Sequence, residues 1–312
     1  MRWVAGGLAF TMLATASGCT LPRIPSHQAA EAPTGKAPLT MTQAKIVEKD
    51  LTSRLLVANV AGFSPDFSAD AWKSVYTGLA LSQAVFETTY AKADQDTTSG
   101  PKCTVRINDV FGSVAVNYPM TTTVITDWQC AGEGVGRKYF LVLTRDHSYS
   151  RWLISANARM DDGLPPVSVE GTVTSAEQEA GLATVSLLID YINTGRSGDM
   201  VVGPRLKDFY TKSTSTDEAA TDTIRAALPS TPAAVQVTKT AKGTITTVSF
   251  ASAVASVAKK GYVIYWPKPL DQVLKQPGER TVLAKAYACF ATILVENGRT
   301  YVVGWDVGLV LL

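Results

Sequence analysis

Thr40-Met41-Thr42-Gln43 opens one stretch of this chain, and Thr174-Ser175-Ala176-Glu177 opens a second. Both have the form Thr-x-x-Gln/Glu. In that form the threonine hydroxyl and the side chain three residues on each satisfy a free amide at a helix start. Behind the first box, Val47, Leu51, Leu55 and Ala58 recur three and four residues apart. Behind the second, Val185, Ile189 and Ile192 align with Leu51, Leu55 and Ala58 at a constant offset. This spacing predicts two amphipathic helices, each resting one face on a core. The chain therefore carries one plan twice.

Working outward, each copy continues with a glycine followed three residues later by leucine: Gly78 to Leu81, and Gly203 to Leu206. Apolar pairs follow, Ala84-Val85 and Phe209-Tyr210. The pattern reads as a short helix, a turn at the glycine and a further helix. The glycine either takes positive φ or permits close packing. Strands come next, rich in β-branched and aromatic residues. In the first copy they are expected over 103–111, 121–129, 137–145 and 151–158. In the second they are expected over 234–239, 243–257, 261–265, 280–296 and 300–307, with an extra helix over 217–228. Helices first and long antiparallel strands afterwards make an α+β protein. Asp162-Gly163-Leu164-Pro165-Pro166 is the natural joint between the copies.

The amino terminus specifies an address. Arg2 supplies a positive start, residues 3–16 form an apolar run, and Ala16-Ser17-Gly18-Cys19 ends it. The run is too short for a permanent membrane span, which needs roughly 20 apolar residues. It resembles a bacterial lipoprotein signal with Cys19 as the lipidated residue, although Ala16 stands where such signals usually carry leucine. An ordinary secretory signal cleaved before Cys19 is the alternative. A thioether-linked diacylglycerol brings two acyl chains, and two chains give stable anchoring where one does not. Residues 20–39 contain Pro22, Pro25, Pro33 and Pro38 with no hydrophobic period, which describes an extended, solvated tether. The expected organisation is a signal peptide over 1–18, a tether over 19–39, and domains over 40–166 and 167–312.

The order of elements, the paired Gly-x-x-Leu segments and the signal together resemble actinobacterial lipoproteins with tandem NTF2-like (cystatin-like) domains. The resemblance implies that each domain lays its amino-terminal helices on a curved antiparallel sheet. It also implies a place on the outer face of the cell membrane. It transfers no catalytic residues.

Composition narrows the function further. With 46% hydrophobic and 18% charged residues, the chain can bury a substantial core. The formal net charge of +2 argues against a nucleic-acid partner, which calls for a clustered basic face. Lys259-Lys260 and Arg137-Lys138 read as solvated strand ends. Beyond Cys19 the cysteines are Cys103, Cys130 and Cys289. Cys103 begins one expected strand and Cys130 ends a later one, so antiparallel pairing can bring them together as a disulfide in an oxidising exterior. Cys289 would then be a buried thiol, and other pairings remain open. None of these spacings marks a zinc or redox site.

No nucleophile elbow, phosphate loop or metalloprotease motif is present. Gly132-Glu133-Gly134-Val135-Gly136 joins two expected strands and reads as a hairpin loop. The chain has two histidines; His27 lies in the tether, and His147 reads as part of a turn. Asp161-Asp162-Gly163 reads as a turn as well. Tyr118-Pro119 and Tyr265-Trp266-Pro267 end strands, since proline donates no ladder hydrogen bond. Trp128, Trp152 and Trp305 are the candidate ligand-cavity residues, with plain core packing as the alternative.

The expected function is a membrane-anchored, non-enzymatic binding or assembly module of the cell envelope. Its expected partners are the membrane, through Cys19, and an envelope protein. No cofactor or metal is expected. The alternative is capture of a small ligand in one cone. An acid–base enzyme ranks third, and it would require a carboxylate buried in a cone with a raised pKa.

Overall fold

The computed structural model describes residues 39–111, 118–132, 136–161, 173–229, 234–240, 243–275 and 278–311. The expected signal peptide, Cys19 and the expected tether up to residue 38 lie outside the described residues, as does the expected joint at residues 162–166.

Both capping boxes form. Helix α1 (Met41–Gly62) starts with the Gln43 amide donating to Thr40 Oγ1 at 3.3 Å, and the Thr40 amide donating to Gln43 Oε1 at 2.9 Å. Helix α3 (Ser175–Thr194) repeats this with Thr174 and Glu177 at 3.2 and 2.8 Å. The expected faces are the buried ones: Leu51, Leu55 and Ala58 in α1, and Val185, Ile189 and Ile192 in α3. Buried Arg54 of α1 pairs with Asp50 at 2.7 Å and donates to the Trp152 carbonyl at 2.9 Å and to the Ser74 carbonyl. A buried cation is tolerated only with such partners, and here they pin α1 to its surroundings.

After α1 come a 3-10 turn (Ala69–Ser74) and helix α2 (Gly78–Ala93). Strands β1 (Cys103–Phe111), β2 (Met120–Cys130), β3 (Arg137–Arg145) and β4 (Leu153–Arg159) then form an antiparallel sheet in sequence order. These bounds lie within two residues of the expected ones, and β2 and β3 pair as the hairpin reading required.

The second half adds β5 (Met200–Val201), helix α4 (Pro204–Ser213), β6 (Ala220–Ala226), β7 (Val235–Thr240), β8 (Gly243–Ala258), helix α5 (Lys268–Leu274), β9 (Val282–Glu296) and β10 (Arg299–Val310). The sheet order is β5-β10-β9-β8-β6, with β7 also paired to β8. β7 pairs with the first part of β8 and β6 with the last part, so one long strand carries two short neighbours.

Two expectations are corrected here. The segment 217–228 contains strand β6 rather than a helix. Asp217 accepts hydrogen bonds from the Ala219 and Ala220 amides at 2.8 and 2.6 Å, which makes a turn, and Thr221, Thr223 and Ile224 then suit a strand on β8. The segment 261–265 is no strand; it holds only a bridge between Ile264 and Arg280, and Pro267 leads into α5.

Both sheets are covered on both faces. Leu141 and Leu143 of β3 meet the α1 core, while Phe140 and Val142, which alternate with them, join Ala286, Ala288 and Phe290 of β9 in a shared cluster. On β9, Cys289, Ala291 and Ile293 face the α3 and α4 side. The layers therefore run helix, sheet, sheet, helix. Double coverage explains why these strands read as continuous apolar runs rather than as clean alternation. The sheets also meet edge on, where Met160 bridges Gly304. A side chain at residue 304 would press on Phe140 Cδ2 at 3.2 Å and Ala158 Cβ at 3.4 Å, so glycine allows this approach. Helix α2 packs on both β4 and β10. The architecture is α+β, with curled antiparallel sheets and a few helices.

Candidate functional site

Between the helices of the first half and the inner face of its sheet lies a cavity of about 460 Å³. Aromatic rings form part of its wall. Trp128 and Tyr139, on adjacent strands, have ring centroids 5.6 Å apart, and Trp72 packs on Phe63 and Tyr76 at 6.2 and 5.8 Å. Polar groups converge on the same space from six elements: Asn59 from α1, Gln83 and Glu87 from α2, Arg137 from β3, Asn157 and Arg159 from β4, Arg205 from α4 and Asp306 from β10. The last two belong to the second half. The cavity is complete only because the two sheets meet.

The polar groups are linked. Asn157 Nδ2 donates to Asp306 Oδ2 at 3.4 Å, and the Val307 amide donates to Asp306 Oδ1 at 2.9 Å. Gln83 Nε2 donates to Glu87 Oε1 at 2.9 Å. Arg205 Nε pairs with Asp161 Oδ1 at 3.3 Å. Asn157 Oδ1 is buried and accepts no hydrogen bond from the described residues. An unsatisfied buried acceptor is costly, so this atom favours a ligand that brings a donor.

Burial raises the Asp306 carboxyl to about 6, and the nearby Glu87 charge adds to the effect. The Val307 amide and the charges of Arg205 and Arg159 oppose it. Burial also raises Glu87, against the Gln83 hydrogen bond. Glu87 keeps contact with solvent although protein surrounds it, as befits a side chain in an open cleft. Tyr76 and Tyr139 are raised first by burial and then by neighbouring negative charge, Glu87 for Tyr76 and Asp306 for both. Two carboxylates in one confined space resist joint ionisation, so an incoming cation or donor relieves them. Asp306 also has the proton affinity of an acid–base group working near pH 6.

Of the three tryptophans singled out, Trp128 alone lines this cavity. Trp152 is buried in the core beneath α1, with the Arg145 guanidinium 5.9 Å above its ring. Trp305 is buried in the second half, 5.5 Å from Phe209 and 6.1 Å from Phe250. Both sit on faces turned to a core, so the cavity reading is withdrawn for these two. Cys103 and Cys130 are opposed across β1 and β2 and joined by a disulfide beside the cavity. Cys289 is a buried free thiol bonded to Ser252 Oγ at 3.1 Å and raised by burial to about 12, which makes it a poor nucleophile. His147 sits in the β3–β4 turn, stacked on exposed Tyr149. Asp161 supports Arg205 in addition to its place at the end of β4, while residues 162 and 163 lie outside the described residues. Arg137 begins β3 and reaches the cavity; Lys259-Lys260 follow β8 at the surface.

Sequence reasoning missed Glu87, Asn157, Arg159 and Asp306. One signal was available: Asp306 is a lone carboxylate in the otherwise apolar Val302–Val310 stretch. Among the described residues no group of three or more His, Cys, Asp or Glu is placed to hold a metal ion, and no helix is long and apolar enough to cross a membrane. No family model matches the chain, and neither a curated protein nor a solved structure matches it.

Proposed function

We propose that this chain is a lipid-anchored, extracytoplasmic binding protein built of two tandem NTF2-like halves, and that the first half holds a small polar ligand. The ligand presents positive charge or hydrogen-bond donors to Glu87, Asp306 and Asn157 and lies against Trp128 and Tyr139. One observation carries this reading: acceptors from both halves converge, with an aromatic wall, on one cavity of about 460 Å³. Enclosed pockets with a few converging polar groups are the usual form of small-ligand sites. The address rests on the lipobox-like Ala16-Ser17-Gly18-Cys19 and the proline-rich tether behind it.

The test is a fluorescence and calorimetric screen of small amines, amides and zwitterions. A hit should bind the wild-type protein, lose at least tenfold in affinity in Asp306→Asn and Glu87→Gln, and quench Trp128. Absence of any hit, or a hit indifferent to both substitutions, rejects the cavity reading. A ligand consumed rather than merely bound would convert it to acid–base catalysis at Asp306. Cys19→Ser should release the protein from membranes; normal processing with full retention rejects the lipid anchor.

An envelope assembly role is the second reading. It is favoured by Ile46, Val57 and Val60, apolar positions left more than half exposed on α1. Cross-linking in cells with Val57→Lys and Val60→Lys as controls tests it; a partner captured equally by both forms would count against it.

A further inference from the structure

A second cavity, of about 550 Å³, lies under α5, bordered by Phe86 of α2, and shares no lining residue with the first. Its wall is apolar, built from Phe86, Leu270, Leu283 and Val310 with Trp266 and Lys285 among them. Among its described lining residues Lys285 alone carries charge. The Lys285 ammonium sits 5.9 Å over the Trp266 ring and has no carboxylate at ion-pair distance among the described residues. Trp266 is buried, and its indole nitrogen has no hydrogen-bond partner among the described residues. Val282 and Leu311, half exposed, extend the apolar lining toward solvent.

The chemistry here differs from that in the first cavity, whose lining mixes carboxylates with arginines. An ammonium on an aromatic face keeps donors to spare, and an indole N–H is a donor without acceptor capacity. A buried donor left unsatisfied carries a penalty that an acceptor removes. The other lining side chains are apolar. We infer that this cavity binds an amphiphile: a straight hydrocarbon chain against Leu270, Leu283 and Phe86, with an anionic head at Lys285 and Trp266. The inference uses none of the residues on which the first cavity's reading rests, so either can fail alone.

Brominated alkyl chains quench tryptophan on contact, and 2-bromododecanoate, which carries its bromine beside the head, is the probe below its micelle concentration. It should quench saturably in the wild-type protein, and Trp266→Phe should abolish that quenching while calorimetry still detects binding. Affinity should rise about fourfold per added methylene from octanoate to dodecanoate until the cavity is full. Dodecyltrimethylammonium should bind at least tenfold more weakly than dodecanoate, and Lys285→Met should erase that preference. Quenching by the monomeric acid assigns a free acid. Quenching only by vesicles of brominated phosphatidylglycerol assigns the same chemistry to a bilayer lipid. Quenching by neither, quenching unchanged in Trp266→Phe, or equal affinity for the cationic chain overturns the proposal. Leu270→Trp, which narrows the cavity along the path of the chain, should weaken binding at least fivefold without lowering the melting temperature by more than a few degrees; unchanged binding in that variant overturns it too.

Discussion

The two halves begin alike and finish differently. Each opens with a capped helix laid on one face of an antiparallel sheet, and each sheet gives its other face to its partner. In the first half, the space between helices and sheet stays open, bordered by Trp128, Tyr139 and Asn157. In the second, Phe209, Tyr287, Trp305 and Phe250 pack ring against ring and make that region core. The paired glycines differ in the same spirit. Gly78 takes φ +58 with nothing near its missing side chain, whereas a side chain at Gly203 would collide with the Asp161 carboxylate. Both roles expected of that glycine are used, one in each half. A shared order of elements thus sets the shell, and a few large side chains decide whether the interior is solid or available.

The sharpest way to break this comparison is to cut one tryptophan from each half. Trp305→Ala should cost about 3–5 kcal/mol of stability, as large-to-small changes in packed cores do. Trp128→Ala, at a cavity wall, should cost about 1 kcal/mol or less and show its effect in ligand binding. Equal losses in urea unfolding would mean that the two interiors are equally packed.

Next in size is the disulfide. Cys103 and Cys130 are 27 residues apart, and opening a loop of that length should cost about 3.5 kcal/mol. Because Phe140 and Phe290 share one cluster across the sheets, Cys103→Ser/Cys130→Ser should lower a single cooperative transition seen alike by fluorescence and circular dichroism. Two separated transitions would show that the halves unfold independently.

Asp306 offers a smaller effect with a definite sign. Its carboxyl is raised from 3.8 to about 6 in the folded protein, so the folded state holds the proton more tightly than the unfolded chain. Its contribution to stability is best below about pH 4 and is lost as pH rises through about 6. Asp306→Asn removes that loss and should stabilise the protein by about 1–2 kcal/mol at pH 7.5, shrinking toward zero at pH 4. Thermal melts across that range check it; a gap that widens on acidification would reverse the assignment. The smallest pair is Thr40→Ala and Thr174→Ala, each expected to cost about 1 kcal/mol. Their costs should add to within about 0.5 kcal/mol in the double variant, since the sites are distant.

The legible parts of this fold were the local ones. Thr40 with Gln43, and Thr174 with Glu177, need only three residues to complete their hydrogen bonds, so their spacing announces a helix start. The strands from Cys103 to Arg159 were readable for a similar reason: β-branched and aromatic side chains crowd them, and turns punctuate them. The β6 segment was misread because Asp217, Glu218, Ala219 and Ala220 look helical in isolation. The edge of β8, far along the chain, supplies the ladder that makes Ala220–Ala226 a strand. Helix α5 was missed for the opposite reason; seven residues are too few to show a helical period.

The site was hardly legible. Glu87 and Asp306 lie in different halves, and nothing in the neighbourhood of either in the chain announces the other. By itself, the sequence determined the capped helices, most of the strands and the cysteines able to pair, because each depends on neighbours in the chain or on a simple period. Tertiary structure alone decided that two sheets would share a core, that Trp152 and Trp305 would fill interiors while Trp128 lined a cavity, and that Asp306 would face Asn157. Those outcomes depend on which faces meet once the layers stack, and burial, not spacing, then sets the proton affinity of the groups enclosed.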